Sequence, residues 1–236
     1  MKIEVFDHVD QVAEKAARFI AAEARAGVAA RNRFILAVSG GHTPWIMLRA
    51  LAEEEVPWKD VHVVQVDERV APAGHPDRNL THLRESLLQH SPLRPEQIYA
   101  MPVEEKDLAA AATRYALILR KIAGSPPVLD IALLGLGSDG HTASLVPGDP
   151  ALDVIDAEVA MTGVYQGRRR MTLTYPILNR SRRVVWLITG KEKAGMLKRL
   201  VDGDVSIPAA RIRSEQALVF ADRPAAGELG PLAGEL

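Results

Sequence analysis

The chain has 236 residues, and its 29 Lys plus Arg against 30 Asp plus Glu leave a formal charge of −1, so no global bias toward nucleic acid or an anionic membrane exists. There is no cysteine, which excludes disulfides, thiolate metal sites and a cysteine nucleophile and agrees with a reducing interior. No stretch approaches the roughly 18 uncharged apolar residues that span a bilayer, and the N-terminal MKIEVFDHVD lacks a signal peptide's apolar run, so a soluble cytoplasmic chain is expected.

From Val9 to Ala24, apolar positions at helical spacing predict an amphipathic helix, with Asp7 or Asp10 as its N-cap. RFILAVSGG then packs five apolar residues, Phe34 to Val38, against a glycine pair. VHVVQVDER and LDIALLGLG repeat this design, which suits parallel strands buried on both faces. Helical patterns separate the runs: PWIMLRALAEEE, NLTHLRESLLQH and DLAAAATRYALILRKIAG. After these come an alternating strand MTLTY, the strand RRVVWLITG, the helix KEKAGMLKRLVDG and a last strand ALVFAD. Strand and helix alternate throughout, which predicts one doubly wound α/β domain over 1–236, with right-handed crossovers and ligands at the C-terminal strand ends. The Gly/Pro-punctuated tail PAAGELGPLAGEL is expected to fray.

The strand-end loops carry the chemistry. In SGGHTPW, Thr43 is placed as a helix cap and Pro44 as the first helical residue. Gly40 and Gly41 present N–H groups at a helix start. That is either a plain turn or an anion cradle, and it is not a Walker A loop because Gly-Lys-Ser/Thr is absent. In VDERVAP, Asp67, Glu68 and Arg69 form either a solvated turn or a set in which Arg69 forks onto a phosphate and the carboxylates orient it or bind hydroxyls.

Gly135, Gly137 and Gly140 spell a literal G-x-G-x-x-G. A dinucleotide site is disfavoured, because Asp139 inside the pattern would repel a pyrophosphate and the pattern follows at least two earlier strand–helix units. His141 is the better clue: it follows Asp139 at a strand end, and Asp139 can fix its tautomer for general-base work. Ser144 lacks the G-x-S-x-G elbow of a nucleophile. The other histidines show no metal spacing, and His42 alone among them stands beside a glycine turn. Arg168, Arg169 and Arg170 precede MTLTY as an exposed basic entry or a second anion contact, and Lys193 lies in the first turn of the helix after LITG.

These stretches together resemble the 6-phosphogluconolactonase family within the glucosamine-6-phosphate deaminase/lactonase superfamily. The resemblance is carried by SGGHTP at 39–44, DER at 67–69, LLGLGSDGHTASLVPG at 133–148, RMTLTYPILN at 170–179, GKEKA at 190–194 and PAARI at 208–212. It implies a three-layer, Rossmann-like α/β sandwich of the sugar-phosphate isomerase type. It also implies hydrolysis of 6-phosphoglucono-δ-lactone in the oxidative pentose phosphate pathway, without cofactor or catalytic metal, by a monomer or weak homodimer. His141, Asp139 and Asp67 become the catalytic candidates. Ser39, Gly40, Gly41, His42, Thr43, Glu68, Arg69, Arg170 and Lys193 become the substrate and phosphate contacts.

Two departures stand out. The family usually has Ser or Thr where His42 stands, and a Lys-Pro-Pro-like approach where this chain reads YQGRRR. The alternatives are the sister deaminase/isomerase, whose motifs usually read D-E-Y and F-N-E-P where this chain has Arg69 and TASLVPG, and a non-catalytic sugar-phosphate sensor.

Overall fold

The computed structural model describes residues 1–230. Seven strands form one parallel sheet: β1 (Lys2–Phe6), β2 (Phe34–Val38), β3 (Val61–Gln65), β5 (Ile98–Tyr99), β6 (Ile131–Gly135), β9 (Arg183–Ile188) and β10 (Ala217–Asp222), in the order β1-β10-β9-β6-β2-β3-β5. Their side chains alternate between two cores. Phe34, Leu36, Val63, Leu133 and Val185 pack under α1 (Val9–Arg31) and α2 (His42–Ala52), whereas Ile35, Ala37, Val64, Leu134 and Trp186 face α4 (Leu108–Ala123), α5 (Tyr175–Arg180) and α6 (Ala194–Val201). Burial on both faces is why the strands read as continuous apolar runs, and the result is the expected three-layer α/β sandwich.

The alternation of strand and helix does not run through the whole chain. β4 (Asp67–Arg69), β7 (Val159–Met161) and β8 (Arg170–Leu173) make a separate antiparallel sheet in the order β4-β8-β7. Val66 is the switch. Its N–H bonds Val38 O in the parallel sheet at 2.9 Å, and its carbonyl accepts from Leu173 N at 2.8 Å, so the chain passes from one sheet to the other at a single residue. DER is thus a strand and not a solvated turn. MTLTY is cut short, because Tyr175 already begins α5 with Pro176 in its first turn.

Local predictions shift for identifiable reasons. α1 continues to Arg31, because Gly27 clears the Phe34 ring: a Cβ there would lie 2.7 Å from Phe34 Cδ2. Its N-cap is His8, not Asp7 or Asp10, and Gln11 Oε1 instead accepts the Asp7 N–H at 3.0 Å. NLTHLRESLLQH is α3 (Asn79–Leu83) widening into a π turn at Arg84–Leu88. In the tail, Ala226 N bonds Asp222 O at 3.0 Å, Leu229 N bonds Ala226 O at 2.9 Å, and Ala225 is fully buried, so fraying does not describe 224–230. The remainder of that tail lies outside the described residues. Among the described residues no helix is long and apolar enough to cross a membrane.

Candidate active site

Because the main sheet is parallel, the C-terminal ends of β2, β6, β9 and β10 share one edge, and a cleft of about 560 Å³ opens there. That size is ordinary for a small-molecule site, and this edge is where doubly wound folds bind ligands. The second sheet stands beside the edge and contributes Asp67, Arg69 and Arg170 to the wall.

The G-x-G-x-x-G builds a histidine loop. No helix follows Gly135; the chain folds back instead, with Gly137 N bonding His141 O at 2.8 Å and Gly140 N bonding Gly137 O at 3.0 Å. A Cβ on Gly137 would lie 2.0 Å from His141 Nδ1, and Gly140 takes φ +83 with Ile207 packed against it. The glycines thus make room for a side-chain pair. His141 Nδ1 is 2.6 Å from Asp139 Oδ1, which also accepts the His141 backbone N–H at 3.1 Å.

Burial pushes the Asp139 carboxyl up, but the His141 backbone N–H, the imidazole and the Tyr165 hydroxyl together outweigh it and hold the group below its ordinary value. Asp139 is therefore an ionised acceptor at neutral pH. With Nδ1 committed to it, Nε2 is the nitrogen left to the cleft. Gly137→Ala is expected to break this pair, read as loss of the hydrogen-bonded imidazole N–H proton resonance with the far-ultraviolet circular dichroism unchanged.

Arg69 and Arg170 are directly opposed in the β4–β8 register. Like charges across a ladder repel, and burial followed by the Arg69 charge lowers the Arg170 pKa from its ordinary value. Each guanidinium also keeps a buried Nε with no hydrogen-bond partner among the described residues. Arg69 Nη1 donates to Asp77 O at 2.7 Å, and Arg170 Nη2 donates to Gln166 Oε1 at 3.2 Å. Across the cleft, α2 begins with the N–H groups of His42 and Thr43, which have no acceptor within the helix, and Lys193, half-buried, adds a third cation at the N-cap of α6.

The remaining predicted residues divide. His42 is exposed on the cleft and is itself the first residue of α2, with Gly41 as N-cap. Thr43 therefore does not cap; its hydroxyl lies 2.6 Å from Thr189 Oγ1 and ties α2 to the end of β9. Ser39 lines the cleft, but its hydroxyl donates to Leu133 O at 2.7 Å.

Asp67 lines the cleft with its oxygens engaged: Oδ2 accepts from Ser144 Oγ at 2.6 Å and Oδ1 from Asn79 Nδ2 at 3.1 Å. Ser144 is fully buried in that role. Glu68, expected among the substrate contacts, does not reach the cleft. It is fully buried, and its two oxygens accept from Gln65 Nε2 and from the backbone N–H groups of Arg69, Asn79 and Leu80 at 2.7–2.9 Å. Arg168 pairs with Asp77 at 2.9 Å and Arg169 is exposed elsewhere, so neither faces the cleft. Tyr165, Gln166 and Asn79, not singled out by sequence, all stand at the site. Among the described residues no group of three or more His, Asp or Glu side chains is arranged to hold a metal ion.

The sequence profile of the family described as glucosamine-6-phosphate isomerases/6-phosphogluconolactonase matches residues 7–220. The chain belongs to this family. The 6-phosphogluconolactonase of Synechocystis is 33% identical over 234 residues, spanning 96% of this chain and 97% of the relative. That of Mycobacterium tuberculosis is 34% identical over 243 residues, spanning 96% and 98%. The solved 6-phosphogluconolactonase of Thermotoga maritima superposes with a TM-score of 0.82 at 26% identity, over 94% of this chain and 98% of that one. A monomeric glucosamine-6-phosphate deaminase superposes with a TM-score of 0.85 at 21% identity, over 97% of this chain and all of the other, so the fold alone does not separate the family's two activities.

Proposed function

We propose that this chain hydrolyses 6-phosphoglucono-δ-lactone to 6-phosphogluconate, the lactonase step of the oxidative pentose phosphate pathway, with His141 as general base. The reading is carried by one juxtaposition: an oriented Asp139–His141 pair on the wall of the cleft that also holds the opposed Arg69 and Arg170. A phosphate accepts from both guanidiniums and relieves their mutual repulsion, with the α2 start and Lys193 completing its surroundings. Anchored there, the lactone is positioned by binding energy from a group that does not react.

His141 Nε2 takes a proton from water as the water oxygen bonds to the lactone carbonyl carbon. The tetrahedral intermediate then collapses by breaking the bond from that carbon to the ring oxygen. The ring oxygen leaves with the proton returned from the imidazolium, giving a free hydroxyl and a carboxylic acid that ionises in water. No covalent enzyme intermediate is needed, in keeping with the buried and engaged Ser144.

The test is the disappearance of lactone generated in situ, corrected for spontaneous hydrolysis, alongside ammonia release from glucosamine 6-phosphate. Accelerated lactone loss without ammonia is expected; ammonia release would assign the sister activity, and 6-phosphogluconate binding without turnover would assign a sensor. Arg170→Ala is expected to raise KM by roughly 10- to 100-fold, the range for a charge-assisted hydrogen bond to a dianion, with a smaller change in kcat. Initial-rate kinetics check this, and an unchanged KM would remove Arg170 from the phosphate site.

A further inference from the structure

The tip of the β7–β8 hairpin reaches the histidine loop. Tyr165 and Arg168 exchange backbone hydrogen bonds at 2.9 and 3.2 Å around Gln166 (φ 50) and Gly167 (φ 77), both left-handed, as in a tight hairpin turn. This turn projects Tyr165 into the site. Its hydroxyl donates to Asp139 Oδ2 at 2.9 Å, while Asp139 Oδ1 holds His141 Nδ1. Its ring edge meets the His141 ring, with centroids 5.4 Å apart and planes at 67°, and Arg170 Cζ lies 4.9 Å from the Tyr165 centroid.

We infer that Tyr165 is a positioning residue for the reaction proposed above, coupling the base to the anion site: its hydroxyl locks the Asp139 carboxylate that orients His141, and its ring supports the Arg170 guanidinium. Asp139 has two oxygens and two side-chain donors, one on each. Without the Tyr165 donor the carboxylate is held through Oδ1 alone, by the imidazole and the His141 backbone N–H, and Oδ2 swings about that oxygen, which loosens the aim of the imidazole. Burial and the neighbouring Asp139 raise the Tyr165 hydroxyl above its ordinary pKa, so it remains a donor through neutral pH. Gln166 extends the same bridge by accepting from Arg170 Nη2.

The inference rests on the lactonase reading for its kinetic test but not for its spectroscopic one. Tyr165→Phe removes the hydroxyl and keeps the ring. It is expected to lower kcat roughly 10-fold, the effect of losing one hydrogen bond to a charged group that orients a reacting atom, with KM within about 2-fold of wild type. Tyr165→Leu also removes the face under Arg170 and is expected to raise KM as well. In an Asp139→Asn background, Tyr165→Phe is expected to add nothing, since its effect passes through that carboxylate.

Independently of turnover, the proton on His141 Nδ1 is expected to shift its nuclear magnetic resonance in Tyr165→Phe. A wild-type kcat in Tyr165→Phe, or full additivity with Asp139→Asn, overturns the inference. If wild type fails to hydrolyse the lactone, the functional reading falls, and the imidazole resonance alone decides: a shift in Tyr165→Phe supports the coupling, an unmoved signal ends it.

Discussion

Replacing His141 with alanine is expected to lower kcat/KM for 6-phosphoglucono-δ-lactone by about 100-fold or more, the usual contribution of a positioned general base. The expectation rests on geometry. His141 lines the cleft, its Nδ1 is 2.6 Å from an ionised Asp139, and the loop that holds it is closed by a 2.8 Å bond between Gly137 N and His141 O. The Gly137–His141 closure is made by backbone atoms, so alanine leaves the loop in place and removes only the base. KM should change far less than kcat, because Arg69, Arg170 and the start of α2 are untouched. Lactone disappearance measured against spontaneous hydrolysis checks this. Equal acceleration by wild type and variant would make His141 structural and end the mechanism.

What the sequence disclosed and what it hid divide along one physical line. The histidine loop and the glycine turn before α2 are local: a few consecutive residues carry both the backbone freedom and the chemistry, and a buried strand immediately precedes each. The strands of the main sheet were legible for a similar reason, since burial on both faces leaves an apolar run that needs no partner to be read. β1 and β5 are the exceptions: they are the two edge strands, paired with β10 and with β3, and being only half-buried neither leaves a continuous apolar run to be read.

Of the second sheet only β8 was legible, through the alternation of MTLTY, and its pairing with β4 and β7 was hidden because that information is non-local. Asp67, Glu68 and Arg69 are three charged residues in a row, and nothing within the triplet says that a strand about 100 residues later will pair with it and bury its acids. Tyr165 was missed for a related reason. Its only local mark is the Gln166–Gly167 turn, and its role depends on Asp139, 26 positions away. Asn79 sits in an unremarkable helical pattern and gains its place by bonding Asp67 with its side chain and Glu68 with its backbone N–H.

The same non-locality makes Glu68 the position of largest expected structural effect. Its carboxylate is fully buried and its two oxygens each accept two N–H groups, so it is the hub that joins β4 to the start of α3: Asn79 N and Leu80 N both donate to it at 2.8 Å. Arg78, 2% exposed, places its Nε 3.1 Å from Glu68 Oε2, within ion-pair range but outside hydrogen-bond geometry, and its Nη1 bonds Ala71 O and Glu104.

Glu68→Ala removes the acceptor for four donors and takes from the buried Arg78 guanidinium its buried counter-charge, leaving it the half-exposed Glu104. Loss of one partner of a buried pair costs about 3–5 kcal/mol, which for a chain of this size lowers Tm by roughly 10 °C. Glu68→Gln should fare little better, although it preserves shape. One oxygen becomes an NH2, which turns a donor toward two N–H groups that need an acceptor. Thermal unfolding of both variants is the check, and the expected signature is a large fall in Tm in each. A normal Tm with a raised KM would instead mean that Glu68 acts on the substrate, and the carboxylate would have to leave its four donors to do so.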